Sequence, residues 1–139
     1  MANSIVPYQL PDGRMAVDVT ENKTLAIKDQ GYVQNVVTDG LNITLPATVV
    51  GYSYTVRNGG VKATGGPAGA VSDESAIVKI TPDAGDLIAG IELTASDADS
   101  INNTKATAKV GDEITLVGNG TTGWNVQAPV KGVWQQIAI

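Results

Sequence analysis

The sequence predicts an all-β fold: a single compact antiparallel β-sandwich or β-barrel, preceded by an extended N-terminal arm. Three observations carry this expectation. The apolar residues are largely Val, Ile and Ala, they recur in short runs of alternating polarity, and those runs are separated at close intervals by Gly, Pro, Asn and Asp. A chain of 139 residues is long enough to bury a core in one domain and short for two.

The start of the chain differs from the rest. Ile5-Val6-Pro7-Tyr8-Gln9-Leu10-Pro11 is apolar with a Pro near each end, and Pro restrains both itself and the residue before it to extended backbone. Residues 1–14 therefore read as an arm and residues 15–139 as one β domain. An apolar extended segment docks on something, either its own domain or a neighbouring subunit, and strand addition is the natural mode. Ile5, Val6, Pro7, Tyr8 and Leu10 are the candidate interface residues.

In the domain, Met15, Val17 and Val19 fall on one face of the run Arg14–Val19, with Ala16 and Asp18 on the other. The same alternation predicts strands in runs 25–28, 32–37, 42–45, 52–57 and 76–80. It predicts further strands in runs 90–94, 106–110, 113–117, 124–127 and 132–137. Roughly ten short strands at ~8–12 residue spacing point to an antiparallel sandwich or barrel.

Turn chemistry separates these runs. Pro11-Asp12-Gly13 opens a turn before the first strand, Asp39-Gly40 is a hairpin-type dipeptide, and Asn58-Gly59-Gly60 closes the strand holding Tyr52 and Tyr54. Asn119-Gly120, between Val117 and Trp124, is the strongest hairpin signal. Gly65–Ala70 and Asp97–Asn103 read as loops, and Ser72–Ser75 as a single turn.

Composition excludes several chemistries. There is no Cys and no His, which removes disulfides, thiolate nucleophiles, zinc-thiolate sites and imidazole bases or ligands. Nine Lys and Arg against 14 Asp and Glu give a net charge of −5, with no basic run, so no nucleic-acid partner is expected. No apolar stretch approaches the ~20 residues of a spanning helix, and the N-terminus lacks the basic start and apolar core of a signal peptide. The expectation is a protein made in a cytoplasm, with no membrane partner.

Nor do the polar residues assemble a catalytic pattern. Asp12, Asp39, Asp83 and Asp112 sit at turns, where an Asx side chain supports the backbone. Asp97, Asp99 and Asn102 form the one local oxygen cluster, without the Gly and bidentate Glu of a calcium loop. The serines lack an imidazole partner and a nucleophile elbow, and Gly59-Gly60 and Gly65-Gly66 do not open a phosphate-binding helix. Without Phe, Trp124 and Trp134 are expected to fill the core; stacking on a sugar and an inter-subunit contact are the alternatives. No enzyme and no cofactor are expected.

The order of strands and turns, taken from Leu25-Ala26-Ile27-Lys28 and Gly31–Asp39 through Ile43–Ala47 and Gly51–Gly60, then Ile80-Thr81-Pro82, Asp86–Gly90, Gly111–Val117 and Gly123–Val126, resembles the small β modules of tailed-bacteriophage virions. These occur in head decoration (capsid cement) proteins and in tail-fibre segments. The chain has no heptad, long repeat or shaft segment, so the decoration proteins are the nearer resemblance. The resemblance implies a structural virion protein, a trimer bound to the major capsid protein on the outer capsid surface, which stabilises the head. A tail-fibre or receptor-binding, carbohydrate-binding module is the alternative. The resemblance supplies no catalytic residues.

Overall fold

The computed structural model describes residues 6–38, 40–60, 78–90, 100–103 and 111–137. Strands β1 (Tyr8–Gln9), β2 (Met15–Val19), β3 (Lys23–Thr24), β4 (Val33–Val36), β5 (Leu41–Thr44) and β6 (Ser53–Asn58) lie in the first half. β7 (Val78–Thr81), β8 (Leu87–Ala89), β9 (Ser100–Asn103), β10 (Glu113–Gly118), β11 (Gly123–Lys131) and β12 (Trp134–Ile137) follow. The protein is all-β, with a short 3-10 turn at Ile27–Gly31 and no α-helix among the described residues. A large sheet has the order β1-β2-β4-β6-β10-β11-β8, and a small sheet has the order β12-β9-β7-β5-β3.

The expected antiparallel pairing holds for only part of the structure. β1–β2, β6–β10, β10–β11, β7–β9 and β9–β12 are antiparallel, but β2–β4, β4–β6, β3–β5, β5–β7 and β8–β11 are parallel. For all the parallel pairs except β8–β11, the reason is how the chain travels. From β2 to β7 successive strands alternate between the sheets, so each strand returning to a sheet runs in the same direction as the one laid down before it. The strand in the opposite sheet serves as the crossover that parallel neighbours require. Asp39-Gly40 accordingly joins strands of different sheets and makes no hairpin; Asp39 itself lies outside the described residues. Asn119-Gly120 does join the hairpin β10–β11, where the Asn119 Oδ1 accepts from the amides of Thr121, Thr122 and Gly123 at 2.9–3.0 Å.

Other expectations change locally. The run Leu25–Lys28 is no strand, because the Asp29 carboxylate accepts the Ala26 amide at 2.8 Å and pairs with Lys23 Nζ at 3.2 Å, which turns the chain. Residues 100–103, expected in a loop, form β9 between β7 and β12. Runs 91–94 and 106–110, loop 65–70, turn 72–75, and Asp97 and Asp99 lie outside the described residues.

One continuous cluster of buried residues draws on both sheets. Val36, Tyr54, Val56, Ile114, Leu116 and Trp124 come from the large sheet; Leu41, Ile43, Val78, Ile80, Ile101 and Trp134 come from the small one. The Tyr54 and Trp124 rings lie 5.6 Å apart at 53°, both fully buried, so the aromatic residues fill the core as expected. Each such side chain removed from water contributes about 1.5–3 kcal/mol.

Two polar knots are buried with this core. Asn58 Nδ2 donates to Asn103 Oδ1 at 2.6 Å, and Asn103 Nδ2 donates to Asp112 Oδ2 at 3.1 Å and to the Val133 carbonyl at 3.0 Å. This ties β6 of the large sheet to β9 of the small one. Near the 3-10 turn, Lys23 Nζ donates to Gln34 Oε1 at 2.7 Å as well as pairing with Asp29.

Candidate interaction surface

Residues facing away from the core on the large sheet form rows set by strand register. One row runs Asp18, Asn35, Arg57, Glu113, Lys131 across β2, β4, β6, β10 and β11. A second runs Ala16, Val33, Thr55, Thr115, Gln127, with the Thr55 and Thr115 hydroxyls 2.9 Å apart. Cross-strand neighbours of complementary chemistry stabilise a sheet, and the first row alternates in sign from Arg57 to Lys131.

The segment expected to be an arm lies against this face. Tyr8 and Gln9 pair with Ala16 and Met15, and a turn closed by Leu10 N–H to Arg14 O (2.7 Å) and Gly13 N–H to Leu10 O (2.9 Å) connects them. Gly13 has φ +95°, a conformation that favours glycine. From Tyr8 onward the chain is thus the outer strand of a hairpin, and it straddles residues 14 and 15. Leu10 is buried in a cluster with Ala16 and Val33. The Tyr8 hydroxyl donates to the Asp18 carboxylate, Asn35 Nδ2 donates to the Tyr8 oxygen at 3.0 Å and to Asp18 Oδ1 at 3.2 Å, and Arg57 Nη1 donates to Asn35 Oδ1 at 2.8 Å. Burial, then the hydrogen bond to Asp18 and its charge, push the Tyr8 phenol up to about 12. Gly59 leaves room for this network, since a Cβ there would lie 2.7 Å from the Asn35 amide atoms.

Arg14 clamps the end of the turn. Its Nη1 and Nη2 donate to the two Glu113 oxygens at 2.7 and 2.8 Å, and its Nε donates to Asp12 Oδ2 at 2.8 Å. The hydrogen bonds to Glu113 and then Asp12 push the guanidinium pKa upward, and those from Arg14 hold the Asp12 carboxyl below its ordinary value. Two depressions flank Arg14. One, about 200 Å3, includes Met15, Tyr32, Val33 and Thr55 in its lining; the other, about 210 Å3, includes Leu10, Arg57, Glu113 and Lys131.

The five candidate interface residues separate. Leu10 is committed to the chain's own sheet, Tyr8 is 38% exposed and hydrogen-bonded to it, Val6 (71% exposed) and Pro7 lie on the surface, and Ile5 is outside the described residues. Arg14, Arg57, Glu113 and Lys131 were not singled out from sequence. Arg57 and Glu113 do stand at outward positions of alternating strands, but only the register makes them neighbours. Arg14 is held by Glu113 and Asp12, whereas Arg57 and Lys131 make no ion pair among the described residues. Among the described residues, no group of three or more Asp or Glu is placed to hold a metal ion.

No protein-family model matches the chain, and no curated protein is significantly similar to it.

Proposed function

We propose that the protein is a structural component of a tailed-bacteriophage virion: a decoration protein that binds the major capsid protein on the outer surface of the head and stabilises it. In this reading the two sheets form a sandwich, the working unit is a homotrimer, and neither catalysis nor a cofactor is involved. Several capsid subunits gripped by one rigid oligomer gain avidity, so modest contacts at each add up to resistance against internal pressure.

The observation that carries the reading is the outer face of the large sheet, where ionic and hydrogen-bonded groups are tied to one another and to the N-terminal hairpin. That arrangement suits a stiff binding surface. Val6 and Pro7, exposed just before the edge strand β1, extend the surface toward a neighbour.

Cosedimentation with expanded, undecorated heads tests the proposal. The expected result is saturable binding that falls sharply on deletion of residues 2–11. Light scattering of the purified protein is expected to give a trimer mass. Failure to sediment with heads, together with saturable binding to a host-surface glycan, would replace this reading with the receptor-binding one.

A further inference from the structure

The geometry points to a carboxylate-binding site in the depression lined by Arg57, Glu113 and Lys131 together with Pro11, Asp12 and Arg14, which takes an acidic side chain of a partner protein. This rests on the proposed subunit-binding role and specifies the chemistry that the partner brings.

Three cations and two carboxylates line the depression, a local excess of one positive charge on a chain whose net charge is −5. The carboxylates are already used by one cation: both Glu113 oxygens accept from Arg14, and so does Asp12. Arg57 gives a single N–H to Asn35, and neither Arg57 nor Lys131 makes an ion pair among the described residues. A guanidinium has five N–H donors and an ammonium three, so most of this donor capacity has no acceptor among the described residues.

Register sets the spacing. Arg57 and Lys131 flank Glu113 on adjacent strands, which puts their backbones roughly 10 Å apart at ~4.8 Å per strand, within reach of one carboxylate held between two long side chains. The volume of about 210 Å3 leaves room for a Glu or Asp side chain. Pro11, exposed and part of the lining, offers an apolar contact for the partner's neighbouring residue.

The test is an amide-resolved NMR titration of the full chain with a blocked peptide of alternating Glu and Leu, the same peptide with Gln for Glu, and inorganic phosphate. Expected are saturable shifts at Arg57, Glu113 and Lys131 with the Glu peptide, weakened by added salt and absent with the Gln peptide. Lys131→Glu, at an exposed position, should lower affinity by about tenfold or more while the rest of the spectrum stays unchanged. Arg57→Gln should do the same. Equal response to the Gln peptide, shifts spread over all lysines, or unchanged affinity in Lys131→Glu would overturn the inference, as would tighter binding of phosphate at the same residues. No phage head enters this experiment. Peptide binding at this site with no binding to heads would therefore sink the decoration reading and leave the site standing; the reverse result would sink only the site.

Discussion

Asn102 and Asn103 are adjacent and chemically identical, yet the fold assigns them opposite roles, and replacing each by Ala measures the difference. Asn103 is fully buried, and its side chain accepts from Asn58 and donates to Asp112 and to the Val133 carbonyl. A neutral hydrogen bond contributes about 1 kcal/mol net and one to a charged partner about 1.5–3, so Asn103→Ala should cost about 3–5 kcal/mol. That is a large share of the ~5–15 kcal/mol by which domains are stable. At about 3 °C per kcal/mol for a chain of this size, the midpoint of thermal unfolding should fall by roughly 10–15 °C. Asn102 faces outward, half-exposed, with no side-chain hydrogen bond among the described residues. Asn102→Ala should stay within about 0.5 kcal/mol. Urea and thermal unfolding followed by circular dichroism provide both numbers. Equal losses in the two variants, or a loss below ~1 kcal/mol for Asn103→Ala, would refute the claim that this knot holds the sheets together.

Four further outcomes follow from the same structure. Gly123→Ala would set a Cβ 2.0 Å from the Leu87 carbonyl oxygen at a φ of +146°, so it should cost about 2–4 kcal/mol and release β8; hydrogen exchange at Leu87 and Ile88 should speed up while β6 and β10 stay protected. The folded state holds the Tyr8 proton more tightly than the unfolded chain does. The stability this contributes is therefore complete below a pH of about 10 and lost as pH rises toward about 12, and Tyr8→Phe should reduce the loss in alkaline unfolding experiments, the remainder including that of Tyr54, whose burial also raises its phenol pKa. Leu10→Ala should cost about 2 kcal/mol and expose residues 6–14 to proteolysis, whereas a double-mutant cycle on Arg14 and Glu113 should give a coupling under about 1 kcal/mol that fades with salt, because the Arg14 side chain is 42% exposed.

Much of the strand content was legible because β-branched alternation is a local property. Runs 14–19, 32–37, 42–45, 52–57 and 113–117 each coincide with an observed strand to within a residue or two. β9 was hidden because Ser100-Ile101-Asn102-Asn103 has the composition of a loop; its strand character comes from pairing on both sides with β7 and β12. The 3-10 turn at Ile27–Gly31 was hidden in the opposite way, inside an apolar run that is bent by Asp29 and Lys23. The docking of Tyr8 and Leu10 was one of two readings left open for the N-terminal segment.

Alternation and turn residues alone determined that this chain would be all-β with a core of Val, Ile, Leu and two Trp, since side-chain direction along a strand depends only on the neighbours in sequence. Only the tertiary structure decided which strands meet. Winding back and forth between two sheets makes four of the ten described pairings parallel, and the coils are unequal in length: Ala16 lies beside Val33, Val33 beside Thr55 and Lys23 beside Ile43, so no fixed repeat marks them in the sequence. The surface at Arg14, Arg57, Glu113 and Lys131 exists only through that register. Charges far apart along the chain become neighbours through hydrogen bonds between strands, and that information is carried by the packed whole and by no segment of it.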